Sequence, residues 1–331
     1  MCRAVDRWAH EERPPRRTAA VAYGLRAAPY VRAEADRELL RHAALAMLAR
    51  PADCTVHGGA LALLVHDPLT RARYLPQALA RFAAGDPRLP AGTLVTALAT
   101  HPEPVLDAFR TRLRPCGPDV EEILHTLADA TTPALAHRVA GLLRDLVALH
   151  PETDAPSACT GPAAGLGEHL AAQVGRRLED GLAQRAVLLP FVAGLLDGGT
   201  PQLRSALAAA LAAPGREESR PLRRELLDLL LVQERDPMVL DRLLGAAADG
   251  LHRGGEEHAR QVIHRVGLLL ARTPEGAARF DRGLFDLARH VPGFARLVAR
   301  WLTEAPGEWA VLVGPSTRRM IENLGGLRVP A

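Results

Sequence analysis

The sequence predicts an all-α protein, and three observations support this. The apolar residues, 48% of 331, are mainly leucine, alanine and valine, whereas aromatic residues are only 4%. This composition favours helices packed through small side chains over a β-sandwich. A short polar residue followed by proline repeatedly precedes an apolar pattern of helical period. No alternating run of β-branched residues bounded by turns appears, so no sheet is expected.

The polar–proline pairs predict helix starts. Aspartate or threonine can accept a free backbone N–H of the first turn, and proline at the first helical position has no N–H to leave unpaired. The helices that follow carry one apolar stripe, as in Leu203, Leu207 and Leu211. The pairs are Asp67-Pro68, Thr132-Pro133, Thr200-Pro201, Asp236-Pro237 and Thr273-Pro274.

The spacing of these starts indicates a repeat. Pro201, Pro237 and Pro274 are 36 and 37 residues apart. Two helices of about 12 to 17 residues fit in each interval. A period in the thirties that is made of antiparallel helical pairs is typical of an α-solenoid.

Two successive helical pairs carry a family resemblance. TPQLRSALAAALAAPG is followed by RPLRRELLDLLLVQER, and DPMVLDRLLGAAADGLHRG by EEHARQVIHRVGLLLAR. In these units the chain resembles the HEAT and armadillo class of helical-repeat proteins over roughly residues 30–325. The resemblance implies a surface, formed by the inner helices of the stacked pairs, that binds another macromolecule.

Composition shifts predict the domain organisation. The segment HPETDAPSACTGPAAGLG, residues 150–167, is rich in Pro, Gly, Ser and Thr and lacks an apolar stripe. We therefore predict an N-terminal array at 30–150, a linker at 151–165 and a C-terminal array with closing helices at 166–331. Residues 1–29, which prolines interrupt, are expected to be irregular.

Charged residues exclude several chemistries. The 41 basic residues are all arginine, as expected of a bacterial protein from a GC-rich genome. Without lysine there can be no ordinary P-loop, protein-kinase lysine, pyridoxal-phosphate Schiff base or Ser-x-x-Lys hydrolase. The net charge is only +3, and arginines alternate with carboxylates, which disfavours nucleic acid as the partner.

Cysteine usage and hydropathy predict the compartment. The four cysteines, at positions 2, 54, 116 and 159, lie too far apart in sequence for a CxxC motif or a compact disulfide framework. No segment has the roughly 18 to 20 uninterrupted apolar residues that a membrane helix needs. We therefore predict a soluble, cytoplasmic protein with no membrane association.

The stretch PADCTVHGGALALLVHDP, residues 51–68, resembles a metal or catalytic site only in composition. Cys54 and His57 supply two ligands, whereas a structural zinc needs four, and His66 and Asp67 are almost three helical turns further on. The alternative is structural. Asp53 or Thr55 begins a helix, Cys54 is buried, and the two glycines that follow permit close packing.

Two further constellations favour structural roles. Glu121, His125 and Asp129 share one helix face, but a di-iron site would need a second Glu-x-x-His and two more glutamates. His252, His258 and His264 are spaced by six residues and point to different sides of a helix, so solvated or partly buried histidines are expected. Neither Gly-x-Ser-x-Gly nor a glycine-rich loop after a strand occurs.

The sequence thus predicts no catalytic residue, no cofactor and no metal site. Four C-terminal residues are of types enriched at interface hot spots, although the tryptophans could instead anchor the core. These candidate partner contacts are Trp301, Trp309, Arg318 and Arg319.

The predicted function is a non-catalytic protein-interaction scaffold or regulatory helical-repeat module whose partner is another protein. Two alternatives remain open. One is a HEAT-like nucleic-acid-binding protein or DNA glycosylase-like enzyme, to which the resemblance also extends. The other is a detached regulatory segment of a larger enzyme.

Overall fold

The computed structural model describes residues 1–50, 53–115, 117, 119–149, 165–213, 215–253 and 255–326. Within them every regular element is a helix and none is a strand, which confirms the all-α prediction. The described chain divides into two compact units, residues 1–135 and residues 136–326. No helix in the described ranges combines the length and the apolar run needed to cross a bilayer.

The first unit contains eight α-helices among its described residues. They are α1 (Cys2–His10), α2 (Pro14–Ala27), α3 (Glu34–Leu48), α4 (His57–His66), α5 (Pro68–Ala83), α6 (Ala91–Leu94), α7 (Pro102–Leu113) and α8 (Val120–Asp129). Helix α1 packs on α2 and α3, α3 on α4, and α4 on α5. The core of the first unit includes the buried side chains of Val5, Leu40, Met47 and Leu64.

The expectation that residues 1–29 are irregular is wrong, because α1 and α2 occupy most of them. Pro14 and Pro15 lie in the first turn of α2, where a missing N–H breaks no helical hydrogen bond. Val5 and Ala9 of α1 are fully buried. The prolines therefore begin a helix instead of interrupting one.

Close packing of the two glycines at the start of α4 is confirmed. A Cβ atom on Gly58 would lie 2.8 Å from the Cβ of Arg88, and one on Gly59 would overlap Cγ1 of Val21. The helix itself begins at His57 and not at Asp53 or Thr55. The carboxylate of Asp53 instead accepts hydrogen bonds from Nε of Arg17, at 2.6 Å, and from the hydroxyl of Thr55, at 2.5 Å, in the turn before the helix.

The second unit contains eleven α-helices among its described residues. They are α9 (Ala136–Leu149), α10 (Leu166–Leu178), α11 (Arg185–Leu196), α12 (Pro201–Ala212), α13 (Arg220–Gln233), α14 (Pro237–Asp249), α15 (Glu256–Leu270), α16 (Pro274–His290), α17 (Phe294–Glu304), α18 (Pro306–Trp309) and α19 (Pro315–Gly325).

Helices of the second unit pack mainly on the helix two positions away in the chain. Helix α10 packs on α12, α12 on α14 and α14 on α16, while α9 packs on α11 and α11 on α13. At the C-terminal end α17 and α16 both pack on α19. Leu203, Leu207 and Leu211, the predicted stripe of α12, are fully buried.

Four of the five predicted polar–proline starts are confirmed by cap hydrogen bonds. The side chains of Asp67, Thr200, Asp236 and Thr273 each accept a backbone N–H of the first turn that follows. The fifth, at Thr132-Pro133, is wrong, since α9 begins at Ala136. The carbonyl of Thr132 accepts the N–H of Leu135 and closes a turn before the helix starts.

The described part of α9 lies before the linker predicted at 151–165, yet it packs on α11 and belongs to the second unit. Apart from Gly165, that linker lies outside the described residues. Cys116 and Cys159 lie outside them as well.

Candidate functional site

An open groove of about 590 Å³ lies between α14 and α16. Helix α14 packs closely on α12 and less closely on α16, which leaves the groove between them. We call it the α14–α16 groove and define it by its lining residues: Asp241, Leu244, Gly245, Arg279, Arg282, Gly283, Asp286 and Leu287.

Two glycines in the middle of the helices keep the groove open. A Cβ atom on Gly245 would meet no atom within 4 Å, and one on Gly283 would first meet Cδ1 of Leu244 at 3.7 Å. Glycine inside a helix costs up to about 1 kcal/mol relative to alanine. These positions therefore carry a stability cost while leaving space above the buried side chain of Leu244.

Both helices of the groove begin at a side-chain cap. The carboxylate of Asp236 accepts the N–H of Met238, and the hydroxyl of Thr273 accepts the N–H of Gly276. Each cap fixes the first turn of its helix. Residues three, four, seven and eight positions apart share one face of a helix, which is the spacing of the groove residues of α16.

The groove carries both paired and unpaired charges. Nε of Arg279 on α16 donates to Asp241 on α14 at 2.7 Å, which ties the two helices together. Arg282 and Asp286 are exposed, and neither side chain has a hydrogen-bond or ion-pair partner within the described residues. A guanidinium presents donors that fit a carboxylate, so these residues leave one free cation and one free anion in the groove.

A smaller cleft in the first unit is lined by three arginines, and all three are engaged by protein groups. Arg37 donates to the carbonyl of Arg32 and pairs with Glu34. Arg41 donates to both Asp67 and Glu34, and Arg71 donates to the carbonyls of Val65 and His66. Burial lowers the pKa of His66, and the Arg71 charge lowers it further. This network closes the C-terminal end of α4.

A third cleft surrounds the buried carboxylate of Glu234, at the C-terminal end of α13. That carboxylate accepts hydrogen bonds from Nε of Arg204 at 2.8 Å and from the backbone N–H groups of Arg235 and Asp236. Each of these donors belongs to the turn between α13 and α14 or to α12. The arrangement is a satisfied structural corner.

The structure separates the residues of the 51–68 stretch. Cys54 is exposed, which corrects the expectation that it is buried. The ring of His57 bonds the carbonyl of Arg50 at 2.9 Å, and Asp67 caps α5 as predicted. These side chains do not form one site.

The other two constellations take structural positions. His125 and Asp129 form an exposed intrahelical pair at 3.3 Å on α8, as predicted. His258 and His264 are partly buried, and their Nε2 atoms have no hydrogen-bond partner within the described residues. The side chain of His252 lies outside the described residues.

The C-terminal candidate contacts divide into two classes. Trp301 and Trp309 are fully buried and stack with ring centroids 5.5 Å apart, so their burial supports the core-anchor interpretation over surface contact. Arg318 pairs with Glu322 one turn along α19 at 3.0 Å, and Arg319 is exposed. Only the arginines are accessible to a partner.

Sequence reasoning missed the α14–α16 groove. A helix-interior glycine is a local signal that could have marked Gly245 and Gly283, but many such glycines lie against a neighbouring side chain. The distance between α14 and α16 depends on how the helices pack along the whole unit. No local sequence pattern encodes that packing.

We expect His258 to make stability depend on pH. Burial lowers its pKa, and the positive charges of Arg223, Arg224 and Arg220 lower it further. Below the usual histidine value of about 6.5 the unfolded chain binds a proton that the folded chain does not, so the free energy of unfolding falls with decreasing pH. We expect His258→Gln to reduce this fall between pH 7.5 and 5.5, measured by urea denaturation.

The exposed His290 supplies the control for this prediction. His290→Gln should leave the slope of stability against pH closer to wild type than His258→Gln does. Equal slopes for wild type and His258→Gln would contradict the prediction.

Comparisons with known proteins give no family for the chain: no protein-family model, curated protein or solved structure matches it.

Proposed function

We propose that this chain is a non-catalytic helical-repeat module that binds another protein in the α14–α16 groove. The observation that carries the proposal is the groove itself, where two helix glycines leave open space beside the unpaired Arg282 and Asp286. An exposed concave surface with an apolar floor and free charges is typical of a protein-binding site.

Regular helix starts in the second unit support an α-solenoid of the HEAT-like kind. Helices α10, α12, α14 and α16 begin at residues 166, 201, 237 and 274, which are 35, 36 and 37 residues apart. Helices α11, α13, α15 and α17 begin at 185, 220, 256 and 294, which are 35, 36 and 38 residues apart. Stacked repeats of two helices produce such a nearly constant interval.

Polar pairs with the same interval connect successive repeats. Arg265 donates to Asp228, 37 residues earlier, and Arg224 donates to Gln261, 37 residues later. The groove pair of Arg279 and Asp241 spans 38 residues. Many arginines are thus engaged by acidic or amide partners, which disfavours a basic stripe for duplex DNA and supports a protein partner.

The charges of the groove specify the occupant. A helix or extended segment of the partner would place an apolar side chain against Leu244 and Leu287, above the two glycines. A carboxylate of the partner would pair with Arg282, and a cationic group with Asp286. Because these charges are partly solvated, they should contribute more to orientation and association rate than to affinity.

Blocking the groove tests the proposal. Gly245→Trp fills the open space, and Gly175→Trp is the matched control, since a Cβ atom on Gly175 of α10 also meets nothing within 4 Å. The tagged wild type and both variants are used to capture proteins from a nuclease-treated lysate of the native source. We expect one retained protein to be lost with Gly245→Trp and kept with Gly175→Trp.

The captured protein is then purified and its Kd is measured. We expect Gly245→Trp to weaken binding at least about tenfold, the effect of losing a central contact. Arg282→Glu should chiefly slow association, with a smaller change in Kd. The control Arg296→Glu changes an exposed arginine of α17 and should leave Kd unchanged. The proposal would be overturned if only nucleic acid is retained, or if Gly245→Trp binds the captured protein as tightly as the wild type. Equal losses with Gly245→Trp and Gly175→Trp would also overturn it.

A further inference from the structure

Helices α1 and α3 bring two histidines and an aspartate together. Asp6 and His10 are one turn apart on α1, and His42 comes from α3, which packs on α1. Nδ1 of His42 lies 2.8 Å from Oδ1 of Asp6, and Nδ1 of His10 lies 3.8 Å from the same oxygen. Each residue offers one ligand atom, and these atoms lie within 4.8 Å of one another.

We propose that Asp6, His10 and His42 bind a divalent transition-metal ion such as Zn²⁺. Two imidazoles and one carboxylate suit zinc and its neighbours in the first transition row, and three protein ligands leave a position for water. No other group of three or more such residues within the described ranges is close enough to hold a metal.

The helices hold the three ligands at nearly the right separation. Val5 and Ala9 of α1 and Ala43 of α3 are fully buried, so the backbones that carry the ligands are fixed by the core. Ligand atoms about 2.1 Å from a zinc ion in tetrahedral geometry lie about 3.4 Å apart. The widest separation of 4.8 Å must therefore shrink by about 1.4 Å, a movement of side chains alone.

The side chains are free to make this adjustment. Those of His10 and His42 are 43% and 64% exposed, and their rings stack with centroids 4.8 Å apart. Nδ1 of His10 bonds the Asp6 carbonyl at 2.8 Å, which orients the ring beside the carboxylate. Because a ring nitrogen that carries a proton cannot bind a metal, Nδ1 of His10 must give up this hydrogen bond when it binds the ion.

A bound ion would connect α1 to α3 and would stabilise the folded chain. The free energy of binding to the folded state adds to stability in proportion to the logarithm of metal concentration over Kd. The sequence separation of 36 residues between Asp6 and His42 means that the unfolded chain has no such preformed site.

Titration of the full chain with Zn²⁺ after chelator treatment tests the proposal. The test uses a Cys54→Ser background, because the exposed thiol of Cys54 could bind zinc by itself. By calorimetry we expect one equivalent of Zn²⁺ to bind, and we expect His42→Ala and Asp6→Asn each to weaken binding at least tenfold. Co²⁺ absorbance supplies a second readout of the ligand set.

The matched control is His125→Ala. His125 and Asp129 form an exposed aspartate–histidine pair one helical turn apart, and among the described residues no third ligand completes a site there, so its loss should leave Zn²⁺ binding unchanged. Zinc should also raise the Tm of the parent and not that of His42→Ala, whose folding is checked by circular dichroism. The proposal would be overturned if Zn²⁺ does not bind, or if His42→Ala leaves its binding unchanged. It would also be overturned if His125→Ala weakens Zn²⁺ binding as much as His42→Ala does.

Discussion

Replacing Trp301 with alanine should lower the free energy of unfolding by about 3 to 5 kcal/mol. The indole is fully buried, stacks on Trp309 and meets the edge of Phe294 with centroids 6.3 Å apart. Its Nε1–H also donates to Glu256 at 3.3 Å. The substitution would leave a cavity that the rigid helices of the C-terminal end cannot fill, and would remove aromatic contacts beyond the buried area.

Urea denaturation followed by helical circular dichroism measures this loss. Trp301→Phe keeps a ring in the site and should lose less stability than the alanine variant. Val311→Ala is the control, because that side chain is 79% exposed and its truncation should change stability by less than about 0.5 kcal/mol. A loss below about 1 kcal/mol for Trp301→Ala would contradict the assignment of this tryptophan to the core.

Gly59→Ala should destabilise the first unit by about 1 to 3 kcal/mol. A methyl group at this position of α4 overlaps Cγ1 of Val21 on α2 and lies 3.3 Å from its Cβ and Cγ2. A different rotamer of Val21 relieves the contact only in part, because Cβ of Val21, at 3.3 Å, is itself closer than ordinary van der Waals contact. Helices α2 and α4 must therefore separate, and this cost exceeds the gain of up to about 1 kcal/mol from replacing a helix glycine.

The control for this prediction is Gly141→Ala. Gly141 lies within α9, and a Cβ atom there meets no atom within 4 Å. We expect this substitution to stabilise the chain by about 0.4 to 1 kcal/mol. The two alanine variants should thus shift the denaturation midpoint in opposite directions, and equal shifts would refute the close-packing argument.

Helix starts could be predicted from the sequence where a cap is decided by neighbouring residues. An aspartate or threonine before proline caps a helix by accepting an N–H from the first turn of that same helix, so no distant residue is involved. Four such pairs cap helices in the structure. The helix start predicted at Thr132-Pro133 was wrong, because the carbonyl of Thr132 is used in a turn that ends at Leu135, before the helix begins. Pro14 and Pro15 caused the opposite error, because they were expected to interrupt helical structure and instead lie in the first turn of α2. Whether a proline breaks or begins a helix depends on its position relative to the helix start.

The candidate sites could not be predicted in this way, because they depend on the spacing of helices. Gly245 and Gly267 are both helix-interior glycines in sequence, yet Gly245 faces open space and a Cβ atom on Gly267 would lie 2.7 Å from Cζ of Phe280. Asp6 and His10 form a visible one-turn pair. Their relation to His42 follows only from the packing of α3 on α1.

The packing pattern of the second unit has a consequence for folding kinetics. Its helices mainly contact helices one or two elements away in the chain, so few contacts require the closure of a long loop. Such low contact order is associated with fast folding, in the microsecond to millisecond range for small helical domains. It also means that α19, which packs on α16 and α17, can detach without disturbing α10 or α12, so amide hydrogens should exchange faster in α19 than in α12, which packs on both α10 and α14.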